Sequence, residues 1–199
     1  MNKRLWRLMM DLIVALITSV AGYLLMDFAA KSMGGIIPHI GLIALIWFAL
    51  RYGWSSGVLA GTLAGIIIGL FDYGFRDGVE KVILSIIPYL SIGLAGLFAK
   101  YTQKTLNNHR YSSTYLNIVT ASLLTGLSFY LLRYLVLPMG LGIESELPVN
   151  ELNFWLSWLI TSVICAILMI ILGRMNPAFL IPKRTRFLSR KETSSLLND

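Results

Sequence analysis

Between Gly53 and Gly69 a glycine returns at every fourth position: Gly53, Gly57, Gly61, Gly65 and Gly69. In water this makes a poor helix, because each interior glycine costs roughly 1 kcal/mol against alanine. In a bilayer the same spacing is a packing device. Small residues four apart leave a groove into which a neighbouring backbone sits closely. Four residues advance a helix by about 400°, so the stripe drifts sideways and meets more than one neighbour. The stripe predicts a helix at the hub of a membrane bundle.

The remaining chain fits such a bundle. Of its 199 residues 56% are hydrophobic and only 14% charged, against about 25% charged in a soluble domain. The apolar residues fall in six blocks, most of them near the length that crosses a hydrocarbon core. These are residues 12–28, 36–50, 54–71, 82–99, 115–137 and 154–172. The first block, flanked by Lys3, Arg4 and Arg7, also has the form of a signal peptide with Ala29-Ala30 as its cleavage site. Five further spans give a consistent topology with the first block retained. Pro88 predicts a kink in the fourth span, and Pro138 ends the fifth. Residues 1–182 therefore read as one six-span membrane domain, and 183–199 as a basic polar tail, mobile beyond Pro182.

Six spans put both termini on one side. That side carries thirteen of the seventeen Lys and Arg residues. The opposite side has Lys31, Arg76 and Lys81, with the acids Asp27, Asp72, Asp77, Glu80, Glu144, Glu146 and Glu151. The positive-inside rule then predicts cytoplasmic termini. The net charge of +7 is thus a topology signal that also draws the inner face to anionic lipid. Its placement argues against nucleic acid. The single cysteine, Cys165, allows no internal disulfide, and no metal-ligand spacing occurs. There is no nucleophile with a paired base, no HExxH and no phosphate-binding loop, so the sequence predicts neither an enzyme nor a cofactor site.

Candidate chemistry gathers at the outer ends of the spans. The aromatics there are Tyr23, Phe71, Tyr73, Phe75, Tyr130, Tyr134, Phe154, Trp155 and Trp158. They read either as an interfacial aromatic belt or as the lining of an outward pocket for a flat organic cation. In the second case Asp72 and Glu80 are the counter-charges; in the first they are solvated loop acids. Arg133 has three readings. It snorkels to the headgroups, pairs with an outer acid such as Asp27 or Asp72, or faces the pocket and favours an anion.

Gly34-Gly35 and the run from Leu45 to Gly61 (LIWFALRYGWSSGVLAG) resemble the ThiT (YuaJ) thiamine-transporter family. That family has a GG turn, an apolar span ending in A-L-R-x-G and a glycine-rich span. Gly93-Leu94-Ala95-Gly96 resembles its later G-L-A-G segment. The likeness covers residues 34–99 and extends to the order of six spans. It implies a substrate-binding S-component of an energy-coupling factor (ECF) transporter. There a small six-helix protein captures a vitamin outside, and a membrane coupling subunit with two ATPases drives its release inside. Ala15 and Ser19 resemble the A-x-x-x-A face of the first helix, and the resemblance implies that they contact the coupling subunit.

The chain departs from the family at its ligand positions. The usual acid is Leu84 here, the usual His is Ser122, and the Asn of Y-x-x-x-Y-N is Leu159, with aromatics kept at Phe154 and Trp158. These changes remove charge-assisted contacts to a cation. The resemblance thus implies thiamine or a related compound held by substituted residues. The candidate set is Asp72, Tyr73, Glu80, Leu84, Ser122, Tyr130, Arg133, Phe154, Trp155 and Trp158. Two alternatives stay open. One is an S-component for a different, neutral or anionic molecule anchored on Arg133. The other is a non-transporting MreD-like scaffold with no small ligand.

Overall fold

The computed structural model describes residues 3–72, 78–183 and 185–188. Their regular structure is entirely helical: α1 (Lys3–Ser32), α2 (Leu42–Tyr52), α3 (Trp54–Asp72), α4 (Val79–Leu90), α5 (Ile92–Leu97), α6 (Ala99–Asn107), α7 (Tyr111–Leu131), a wider π turn (Leu132–Val136), α8 (Leu137–Leu141), α9 (Leu152–Met175) and a 3-10 turn (Pro177–Phe179). Among the described residues five stretches are long and apolar enough to cross a membrane: 5–26, 54–71, 82–107, 111–141 and 152–175. Their outer faces carry residues such as Ile17, Leu116, Leu59 and Ile171, all exposed. A rim of apolar side chains around a helical bundle is what lipid requires. The chain is an all-α multi-pass membrane protein.

The glycine helix α3 is packed as its spacing predicts. A Cβ added at Gly57 would lie 2.8 Å from the Ala49 Cβ of α2 and 3.1 Å from the Ile92 carbonyl of α5. At Gly61 it would collide with the Tyr89 carbonyl, and at Gly65 it would lie 2.8 Å from the Ser85 carbonyl of α4. Three successive glycines therefore receive the backbone of the 85–93 stretch. Gly69 is buried one turn further on. Gly53 differs from the other four. It sits between α2 and α3 at φ 91°, a conformation open chiefly to glycine. It joins the two helices rather than packing within one.

The second span corrects an expectation. Only Leu42–Tyr52 is helical, about 16 Å of rise against a core of about 30 Å. The preceding 36–41 stretch is non-helical and must find other partners for its backbone. It finds them in side chains of α7 and α9. The Ile37 N–H donates to the Ser157 hydroxyl at 2.9 Å, and the Tyr130 hydroxyl donates to the Ile37 carbonyl at 2.7 Å. The His39 N–H donates to the Thr161 hydroxyl at 3.1 Å. Tyr130→Phe would strand the partly buried Ile37 carbonyl, at a cost of about 1–3 kcal/mol. A lowered thermal transition is expected, with Tyr101→Phe at the exposed surface as the unchanged control.

The fourth span also runs further than its polar residues suggest. Pro88 interrupts it: α4 stops at Leu90, and the Ser91 hydroxyl donates to the Pro88 carbonyl at 2.7 Å. Helix then resumes and continues to Asn107 instead of ending at Ala99. The reason is Gln103. Its amide donates to the Leu50 and Arg51 carbonyls at 3.0 and 2.8 Å, satisfying the free end of α2. The fifth span likewise passes Pro138 and reaches Leu141. Proline has no N–H to give the Tyr134 carbonyl four residues back. The Ser145 hydroxyl donates to that carbonyl at 2.5 Å instead. After α9 the chain folds back onto the bundle. Trp47 Nε1 donates to the Phe179 carbonyl at 2.9 Å, Thr185 donates to the Gln103 side-chain oxygen at 2.6 Å, and Leu188 is buried. The tail is therefore held past Pro182, at least to Leu188.

Candidate functional site

The chain direction sets two ends. α2 finishes at Tyr52 on one end of the bundle, so α3 finishes at Asp72 and α4 begins at Val79 on the other. At this second end a cavity of about 240 Å³ opens between the start of α4, the end of α7 and the loop after α8. Glu80, Leu84, Arg133, Tyr134, Glu144 and Glu146 line it, with Pro138 and Ile143. Three carboxylates face one guanidinium, so the cavity carries net negative charge.

Arg133 is buried, with its guanidinium 5.8 Å from the centre of the Tyr134 ring. It does not snorkel. Tyr134 forms the floor. Its hydroxyl is 2.7 Å from His39 Nε2, and Ser145 holds its carbonyl, as described above. The loop that carries Glu144 and Glu146 is thereby tied to the cavity floor. Its far side is pinned by buried Leu147 and by Trp155 Nε1, which donates to the Val149 carbonyl at 3.0 Å. Behind Tyr134 lies an aromatic cluster. The His39 ring meets Phe129 at 4.7 Å and Tyr130 at 5.2 Å, and Tyr130 meets Phe154 edge-to-face at 6.0 Å.

The predicted residues divide. Glu80, Leu84 and Arg133 line the cavity together. Tyr130 and Phe154 are fully buried in the cluster behind it and reach no open space. Ser122 lies roughly 16 Å along α7 from Arg133, with its hydroxyl 3.6 Å from the Cys165 sulfur at the α7–α9 contact. Trp155 is occupied by the loop, and Trp158 Nε1 donates to the Leu123 carbonyl at 3.1 Å, tying α9 to α7. These last three join structural elements rather than lining the cavity. Tyr73 lies outside the described residues, and Asp72 is described only as the last residue of α3. Glu144, Glu146 and Tyr134 were absent from the candidate set. Their signal was present, as two acids and an aromatic at the outer side, but nothing in the sequence says that the 142–150 loop folds over α7.

Ala15 and Ser19 are placed against expectation. Both are fully buried, because α1 packs backbone to backbone on the turn before α2. A Cβ at Gly22 would lie 2.6 Å from the Gly41 nitrogen. The small-residue face of α1 is used inside the protein, and its exposed face carries Ile13, Val14, Ile17, Leu24 and Leu25.

Comparison with known proteins bears on the fold and the family. No curated protein matches the chain in sequence. The solved structure of ThiT from Listeria monocytogenes aligns with a TM-score of 0.70 at 22% identity, covering 91% of this chain and 100% of that one. At that identity the likeness shows a common fold. The family model described as thiamine transporter protein matches residues 10–136, more than half of the chain. A glycine-packed helical bundle thus carries the sequence pattern of that family: the chain belongs to the thiamine transporter (Thia_YuaJ) family.

Proposed function

We propose that this protein captures thiamine, or a closely related cation, in the carboxylate-lined cavity, as the substrate-binding S-component of an ECF transporter in the cell membrane. The observation that carries the reading is the lining itself. Thiamine carries a permanent positive charge on a flat thiazolium ring, and Glu80, Glu144 and Glu146 converge beside Tyr134. A carboxylate facing a cation is among the stronger polar contacts, and an aromatic ring adds attraction to it. Leu84 occupies the family's acid position, so in this chain the counter-charge comes from Glu80 one turn earlier and from the 142–150 loop. Three acids against Arg133 favour a cation over the anionic substrate of the alternative reading, and membership of a transporter family favours transport over the scaffold.

The coupling subunit and two ATPases are the partners this role requires, since the chain has no nucleotide site of its own. Docking through α1 would use the exposed Ile13, Ile17 and Leu24 side of that helix, because Ala15 and Ser19 are enclosed. The basic residues at the terminal end support cytoplasmic termini, which leaves the cavity facing outward.

Titrating thiamine into the purified chain, with intrinsic tryptophan fluorescence as readout, tests the reading. Saturable quenching at sub-micromolar thiamine is expected, with no response to anionic vitamins. A response to an anionic vitamin in place of thiamine would move the substrate and reinstate Arg133 as its anchor. Silence across the panel would return weight to the scaffold.

A further inference from the structure

At the terminal end of the bundle, opposite the carboxylate cavity, a second cavity of about 200 Å³ lies between the start of α1, the α2–α3 joint and the segment after α9. Arg7, Arg51, Lys183 and Arg186 face it together with Tyr52 and Thr185, and no carboxylate among the described residues lines it. Arg51 is fixed in place. Its Nε donates to Asp11 at 2.9 Å, and its Nη1 donates to the Ala178 and Phe179 carbonyls. The Tyr52 hydroxyl donates to the same Asp11 carboxylate at 2.5 Å. These bonds leave Arg51 Nη2 with no acceptor among the described residues. Arg186 is exposed to solvent. Its guanidinium lies against Gly53, where any side chain would strike it, and 4.8 Å from the centre of the Phe187 ring. Arg7, Lys183 and Arg186 pair with no carboxylate among the described residues.

Four cations around one concavity repel one another, and an anion among them relieves that repulsion. The Asp11 carboxylate engages Arg51 from outside the lining and neutralises one charge. Two arginine forks beside a lysine match the tetrahedral, multiply charged oxygens of phosphate better than a single carboxylate. We propose that this cavity binds a phosphate-bearing anion, independently of the thiamine cavity at the other end. The same chemistry is offered by the headgroup of an anionic phospholipid at the membrane surface and by a soluble phosphate compound in the adjoining water.

The test uses the full chain in lipid nanodiscs and separates the two sources. In the first arm, inorganic diphosphate is titrated calorimetrically into protein held in zwitterionic, net-neutral phosphatidylcholine. In the second, native mass spectrometry counts phosphatidylglycerol retained from a mixed phosphatidylglycerol–phosphatidylcholine disc. One arm is expected to show saturable, selective binding, and the responding arm names the source. Lys183→Gln and Arg186→Gln should each weaken it by about fivefold, the worth of one basic residue near an anionic surface. The thermal transition should not move. If either variant fails to fold, Arg7→Gln at the exposed start of α1 carries the same comparison. Silence in both arms, or binding that these variants leave unchanged, overturns the proposal.

Discussion

Gly61→Leu is expected to prevent assembly of the bundle. The first atom of the new side chain would meet the Tyr89 carbonyl, which belongs to the backbone of α4 and cannot rotate away. Pro88 has already broken the helix next to that carbonyl, so α4 and α5 are positioned by their seat on α3 rather than by their own continuity. Overpacking a well-filled contact costs typically about 1–3 kcal/mol, and more where the obstacle is backbone. Folded proteins hold only about 5–15 kcal/mol in reserve. The expected readout is loss of the monodisperse peak in detergent chromatography, or a large drop in thermal midpoint. Gly140→Leu is the matched control, since nothing lies within 4 Å of a Cβ there; it should stay within about 0.5 kcal/mol of the parent. A Gly61→Leu protein as stable as that control would remove the close-packing account of α3.

Removing the carboxylates should act on affinity and leave stability alone. Glu80, Glu144 and Glu146 are exposed at the cavity mouth, so their replacement by Gln empties no core and strands no buried group. A hydrogen bond to a charged group contributes about 1.5–3 kcal/mol. Each substitution that removes a direct contact therefore weakens thiamine binding by roughly 10- to 100-fold, with an unmoved thermal transition. The triple Gln variant should lose measurable binding. If it binds thiamine like the parent, the cation is held elsewhere, and the buried aromatic cluster around Tyr130 becomes the place to look.

The membrane bundle was legible because its signals are one-dimensional. Apolar block length, glycine spacing and the sign of loop charges are properties of the chain in order, and a bilayer imposes them directly. Gly57, Gly61 and Gly65 announced their role by spacing alone. Gln103 did not. Polar residues after Ala99 looked like loop, yet Gln103 is buried as the cap of α2, and a cap on a distant helix leaves no local trace. Tyr130, Ser157 and Thr161 were opaque for the same reason. They serve the unpaired backbone of residues 36–41, a need that arises only once α2 proves too short to span. In the cavity lining, Glu80 was legible through its charge and position. Glu144 and Glu146 were visible as outer acids but had no assigned neighbour until the Ser145 bond to Tyr134 drew their loop inward. Ala15 and Ser19 misled because a small-residue face says that something packs closely, not whether that partner is another protein or the next turn of the same chain.

Hydrogen–deuterium exchange of the purified chain, with and without saturating thiamine, tests the central claim most directly, because it locates the ligand. The account predicts protection of the start of α4 around Glu80–Leu84 and of residues 133–147, with the terminal-end segments 7–11, 51–54 and 178–188 unchanged. Protection confined to the terminal end, or thiamine binding with no change at either carboxylate-bearing segment, would contradict it.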